Sequence, residues 1–61
     1  MMIMGPGEVA HHFRVDPVTV SRWQRDGTLP EPDFKLKMGP VWFWVTLEVW
    51  AAETGRVLHV D

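Results

Sequence analysis

The stretch Ala10-His11-His12-Phe13-Arg14-Val15-Asp16-Pro17-Val18-Thr19-Val20-Ser21-Arg22-Trp23 decides how this chain folds. Aspartate favours the capping position of a helix, and proline the first helical position, where a missing N–H costs nothing. Asp16-Pro17 therefore reads as a helix start, with Asp16 as the cap and Val15 and Val20 paired across it as a hydrophobic staple. A second start lies upstream at Gly5-Pro6-Gly7-Glu8, where Gly5 caps, Pro6 opens the helix, and Glu8 is placed to reach back to the cap. Met4 and Val9 flank that cap at staple spacing. The pattern predicts one helix from Pro6 to about Phe13 and another from Pro17 to about Asp26, ended by Gly27. Only Arg14, Val15 and Asp16 join them, which forces a tight corner. Two helices meeting so closely need a small residue at the crossing, here Ala10. They also need an apolar residue in the corner, Val15, and an apolar inner face, Val20 and Trp23. That is the spacing of a helix-turn-helix.

Beyond Gly27, Pro30 and Pro32 prevent further helix and give an extended connector. Phe34-Lys35-Leu36-Lys37 alternates apolar with charged, as a half-buried strand does, with both lysines on one face. Met38-Gly39-Pro40 breaks the alternation, and Val41-Trp42-Phe43-Trp44 returns as a second strand. Thr46 is placed to cap a last helix of about Leu47 to Thr54, with Leu47, Trp50 and Ala51 on its apolar face and Gly55 as its stop. The expected fold is mainly α with a small β-hairpin: three helices plus a two-stranded wing. It forms a single domain over residues 1–61, with its core at about 5–55. Core residues are expected at Val9, Ala10, Phe13, Val20 and Trp23, together with the last helix's apolar face and at least two of Trp42, Trp44 and Trp50.

A chain of 61 residues has little interior, so its four Trp, three Phe and four Met must build most of the core. It has no cysteine, which removes disulfides and thiolate metal sites and fits a reducing, cytoplasmic setting. The first residues carry no basic leader, and no apolar run approaches the ~18 residues of a membrane span, so a soluble, untargeted chain is expected. Net charge is −2, which argues against an indiscriminate polyanion binder. The charge is unevenly placed. Residues 14–37 hold five cations against four acids, a net +1, whereas from Val41 onward Arg56 stands against Glu48, Glu53 and Asp61, a net −2.

With Val20 and Trp23 turned inward, the opposite side of the second helix carries Val18, Thr19, Ser21, Arg22 and Arg25. These have the chemistry for a DNA major groove. A guanidinium forks onto guanine, hydroxyls serve bases or phosphates, and a valine touches a thymine methyl. A solvated face on an ordinary helical hairpin has the same pattern, and periodicity alone does not separate the two.

The runs Glu8-Val9-Ala10, Phe13-Arg14-Val15-Asp16-Pro17, Thr19-Val20-Ser21-Arg22-Trp23 and Gly27-Thr28-Leu29-Pro30 together resemble the MerR-type winged helix-turn-helix. Within that superfamily the chain is similar to small AlpA and excisionase-like proteins, and its helix-turn-helix also resembles BldC-like regulators. The resemblance spans about residues 5 to 55. It implies double-stranded DNA as partner, with helix 17–26 in the major groove and hairpin 34–44 as a wing on flanking DNA. The implied DNA-binding set is then Val18, Thr19, Ser21, Arg22, Arg25, Lys35 and Lys37. Two positions depart from the pattern. Arg14 stands where many such corners have glycine, so either arginine accepts a left-handed backbone or the corner differs. The wing tip reads Met38-Gly39-Pro40-Val41-Trp42, where BldC-like wings carry a basic tip.

Other residue groups point away from chemistry. His11 and His12 are adjacent on a helix and diverge by roughly 100°, His59 stands alone in the tail, and no metal site is expected. Glu48 and Glu53 do not face each other as a catalytic pair. No nucleophile, phosphate loop or ligand spacing appears, so neither an enzyme nor a cofactor or small-molecule ligand is expected. Trp42, Trp44 and Trp50 also invite a reading as a stacking platform for single strands. A transcriptional regulator and an excisionase-like recombination factor fit equally. One copy would bury little surface on DNA, so several copies per site are expected, and they could lie head-to-tail. The alternative is an interaction module that binds protein through the Val41–Trp44 strand or the acidic last helix.

Overall fold

The computed structural model describes residues 2–60. It contains a strand β1 (Ile3–Met4), helices α1 (Pro6–Phe13) and α2 (Pro17–Asp26), strands β2 (Phe34–Leu36) and β3 (Gly39–Phe43), and a helix α3 (Trp44–Thr54). Both predicted helix bounds in the first half are reproduced. The sheet has three antiparallel strands in the order β1-β3-β2, one more than the expected hairpin. The extra strand is Ile3–Met4, paired with Phe43 and Trp42 along the free edge of β3. Two residues are too few to show a periodicity of two, so only pairing reveals them as strand.

All three helices end the same way. The residue after each helix is left-handed: Arg14 at φ 57°, Gly27 at φ 74° and Gly55 at φ 72°. The following N–H then returns to a carbonyl in the last turn: Val15 to Ala10 at 3.0 Å, Thr28 to Trp23 at 2.9 Å and Arg56 to Ala51 at 2.9 Å. This closure satisfies carbonyls that a helix end leaves bare. Arginine therefore accepts the left-handed corner between α1 and α2 and takes the role glycine has at the other two ends.

The helix starts differ from one another. At α1 the Gly5 N–H donates to Glu8 Oε1 at 2.8 Å, and Met4 and Val9 are both buried. At α2 the Asp16 side chain makes no capping bond, contrary to expectation. Its backbone carbonyl instead accepts from the Thr19 N–H at 2.9 Å. At α3 the predicted Thr46 cap is corrected. The helix begins at Trp44, so Trp44 is helical rather than part of the second strand. Asp33, ten residues upstream, serves that start: its Oδ2 accepts from the Phe43 N–H at 2.8 Å and from Thr46 Oγ1 at 2.9 Å. A carboxylate at a helix N-terminus meets both orphan donors and the positive end of the helix dipole. Asp33→Ala is expected to cost about 1–2 kcal/mol, lowering the melting temperature by several degrees. Thermal melts followed by circular dichroism measure it, and a melt within one degree of the parent would remove Asp33 from this role.

The core lies between the sheet and the helices. It comprises Met4, Val9, Ala10, Phe13, Val20, Leu29, Trp42, Leu47, Trp50 and Ala51, with Val15, Trp23, Trp44 and Leu58 packed partly against it. Trp23, expected inside, is therefore half-buried, Met4 and Leu29 join the core, and of Trp42, Trp44 and Trp50 the first and last are buried. No helix among the described residues is long and apolar enough to cross a membrane.

Candidate nucleic-acid interface

Helix α2 packs chiefly on α1, and its rotation about its own axis decides which side chains meet solvent. Three contacts set that rotation. Val20 is fully buried. The Trp23 ring stands edge-on to Phe13 at 6.0 Å and to Trp50 at 5.4 Å between centroids. The Arg56 guanidinium lies 4.9 Å from the Trp23 ring centroid and 4.8 Å from that of Trp50. Edge-to-face aromatic pairs and a cation over both rings favour this arrangement beyond simple burial. With α2 held so, Val18, Ser21, Arg22 and Arg25 are exposed, as the sequence pattern predicts. Thr19 is half-buried, and its backbone N–H is engaged by Asp16.

The connector fixes the hairpin relative to α2. Trp50 Nε1 donates to the Thr28 carbonyl at 3.0 Å and Trp42 Nε1 donates to the Pro30 carbonyl at 2.9 Å. Residues barred by two prolines from regular pairing thus find partners in two core indoles, which explains why these tryptophans are core residues and not an exposed stacking platform. The sequence pattern offers these indoles core packing or base stacking and does not reveal these bonds. A buried Trp needs an acceptor for its N–H, which was the available signal.

The two hairpin lysines are separated by the structure. Lys35 lies on β2 opposite Pro40. Side chains alternate across a strand, so Lys35 emerges on the side of the sheet to which Pro40 and buried Trp42 belong. It lines an open groove with Gln24 and Gly27 at the end of α2. Lys37 is in the hairpin turn with Met38, outside the strand. The expectation that both share one strand face is corrected: the strand ends at Leu36, and the chain turns through Gly39 at φ 130°. Both lysines are exposed. Arg22, Arg25 and Lys35 thus come from α2 and the hairpin edge nearest its C-terminus, with Lys37 beyond them at the tip.

The histidines have a structural role that the sequence did not reveal. His59 donates its backbone N–H to the His12 carbonyl at 2.9 Å, and His12 Nδ1 lies 2.9 Å from the His59 carbonyl. The His12 ring also stands edge-on to Trp44. This pair of hydrogen bonds ties the C-terminal segment to the end of α1, so His59 is not an isolated tail residue and His12 is not simply solvated. Among the described residues, no three His, Cys, Asp or Glu side chains gather as a metal would require.

Comparison of the chain with protein-family models, with curated proteins and with solved structures gave no match.

Proposed function

We propose that this chain is a sequence-specific double-stranded DNA-binding protein of winged helix-turn-helix type. In this reading α2 enters the major groove and the 34–44 hairpin lies on flanking DNA. The observation that carries this reading is the division of α2: Val20 and Trp23 hold one side to the body, while Val18, Ser21, Arg22 and Arg25 are exposed on the other. A ten-residue helix is about 15 Å long and, with its side chains, about as wide as the major groove, so it enters on its exposed side. Lys35 and Lys37 add cations on the hairpin, and the acidic Glu48 and Glu53 belong to a different helix. A regulator and an excisionase-like recombination factor share this geometry. One domain of this size buries on the order of 600–1,000 Å² on DNA, so occupancy by several copies is proposed.

Footprinting and gel shifts of the pure protein on DNA from its own genomic neighbourhood test the proposal. A protected site is expected, with affinity rising steeply when two or more sites adjoin, because contacts between copies add to each small interface. Failure to bind any fragment at low salt would overturn it.

Replacing Lys35 and Lys37 together with Ala is expected to weaken binding to all sequences alike and to flatten the salt dependence by about two units at most. A salt titration with unchanged slope would take the hairpin out of the interface.

The interaction-module reading is favoured by one observation. Ile3 of β1 and Phe34 and Leu36 of β2 are at least half exposed on the side of the sheet away from the core, beside the half-buried Val41 and Phe43 of β3.

A further inference from the structure

The sheet has one face under α1 and α3 and one face that nothing described here covers. Trp42 and its partner Met4 point into the core, so alternation along the strands sends Val41 and Phe43 the other way. Ile3 opposes Phe43, and Phe34 opposes Val41, placing both on that outer face. The Phe34 and Phe43 rings meet edge-on at 5.3 Å, which joins the strands into one apolar surface. Ile3 and Phe34 remain 50 % exposed, Leu36 follows Phe34 at 56 %, and Met38 at the tip is 99 % exposed. An antiparallel sheet with one solvated face ordinarily alternates to polar residues there. This one does not: Ile3, Phe34, Leu36, Val41 and Phe43 carry no charge or hydroxyl.

We propose that two copies of this chain associate through these outer sheet faces, two-fold and without DNA. The area argues for it. The half-exposed residues each leave on the order of 100 Å² in water, and with Met38 at the tip and the rims of Val41 and Phe43 the surface reaches about 600 Å². That is the upper end for the largest apolar patch on a monomer, and close to the ~800 Å² per partner of a standard interface. Its composition argues for a second copy as occupant. A face without charges offers nothing to select a charged partner, whereas the same apolar surface turned through a two-fold axis is its own complement. Asp33, the residue before Phe34, is exposed, and its Oδ2 is held by the Phe43 N–H and the Thr46 hydroxyl at the start of α3. Two sheets packed face to face about 10 Å apart close both uncovered faces together. The mode is isologous, unlike the head-to-tail arrangement that copies on DNA could take.

Sedimentation velocity of the protein alone, over a concentration series, tests this. The expected result is a species of twice the 7.1 kDa chain mass at micromolar concentrations. Phe34→Lys and, separately, Ile3→Lys are each expected to raise the dissociation constant at least tenfold, because each sets two lysines against an apolar face. Circular dichroism of both variants checks the fold, and Ile3→Lys serves if Phe34→Lys disturbs the hairpin. Val49→Lys, exposed on α3, is expected to leave the dimer intact. A monomer at every concentration overturns the proposal. So does a dimer indifferent to both outer-face substitutions, or one that Val49→Lys dissociates equally. None of these outcomes depends on whether the protein binds DNA.

Discussion

Trp42→Ala is expected to leave the chain largely unfolded at 25 °C. Trp42 is fully buried at the centre of the sheet's inner face, and its indole N–H holds the connector at the Pro30 carbonyl. Truncating a buried Trp costs about 3–5 kcal/mol. A domain of this length has roughly 3–9 kcal/mol of total stability, so the loss consumes most of it. Trp23→Ala is expected to cost less, about 2–3 kcal/mol, because Trp23 is only half-buried and stands at the edge of the aromatic group. Denaturant melts followed by circular dichroism give both values. A Trp42→Ala protein with native spectrum and unchanged midpoint would mean the sheet does not pack on its inner face as described.

With α2 in the major groove as proposed, Arg22→Ala is expected to weaken binding to a specific DNA site by about 1–3 kcal/mol, and binding to random DNA by far less. Arg22 is exposed in the middle of α2, on the side opposite Val20, so the substitution leaves the core untouched and thermal stability should not move. Arg22→Lys separates charge from shape. If the guanidinium forks onto a base, lysine restores little of the specific affinity, because it cannot donate two parallel bonds in one plane. Equal losses on specific and random DNA would make Arg22 a phosphate contact instead.

Much of this fold is legible in local sequence because local chemistry dictates it. Proline and cap residues mark α1 and α2 to the residue, and Gly27 and Gly55 end their helices in the left-handed conformation that glycine allows without strain. The exposed side of α2 follows from helical periodicity once Val20 and Trp23 are taken as inward. What sequence left open lies in contacts between distant residues. Arg14 in the left-handed region is decided by the closure of the corner, where the Val15 N–H reaches Ala10, since nothing in arginine itself favours it. Asp33 caps α3 across ten residues of chain, and a helix start with a remote cap has no local signature. For that reason the sequence pattern put the cap at Thr46 and the helix from about Leu47, and gave Trp44 to a strand. Strand β1 exists only because β3 offers it a free edge. The tie between His12 and His59 spans 47 positions. Local rules see side-chain preference and spacing over one or two turns, whereas each of these features is a hydrogen bond made available only after the helices and sheet have packed. The sequence by itself therefore determined where α1 and α2 lie and which side of α2 faces outward. Tertiary structure alone decided the third strand, the start of α3, and the placement of Lys35 and Lys37 on either side of the hairpin's last paired residue.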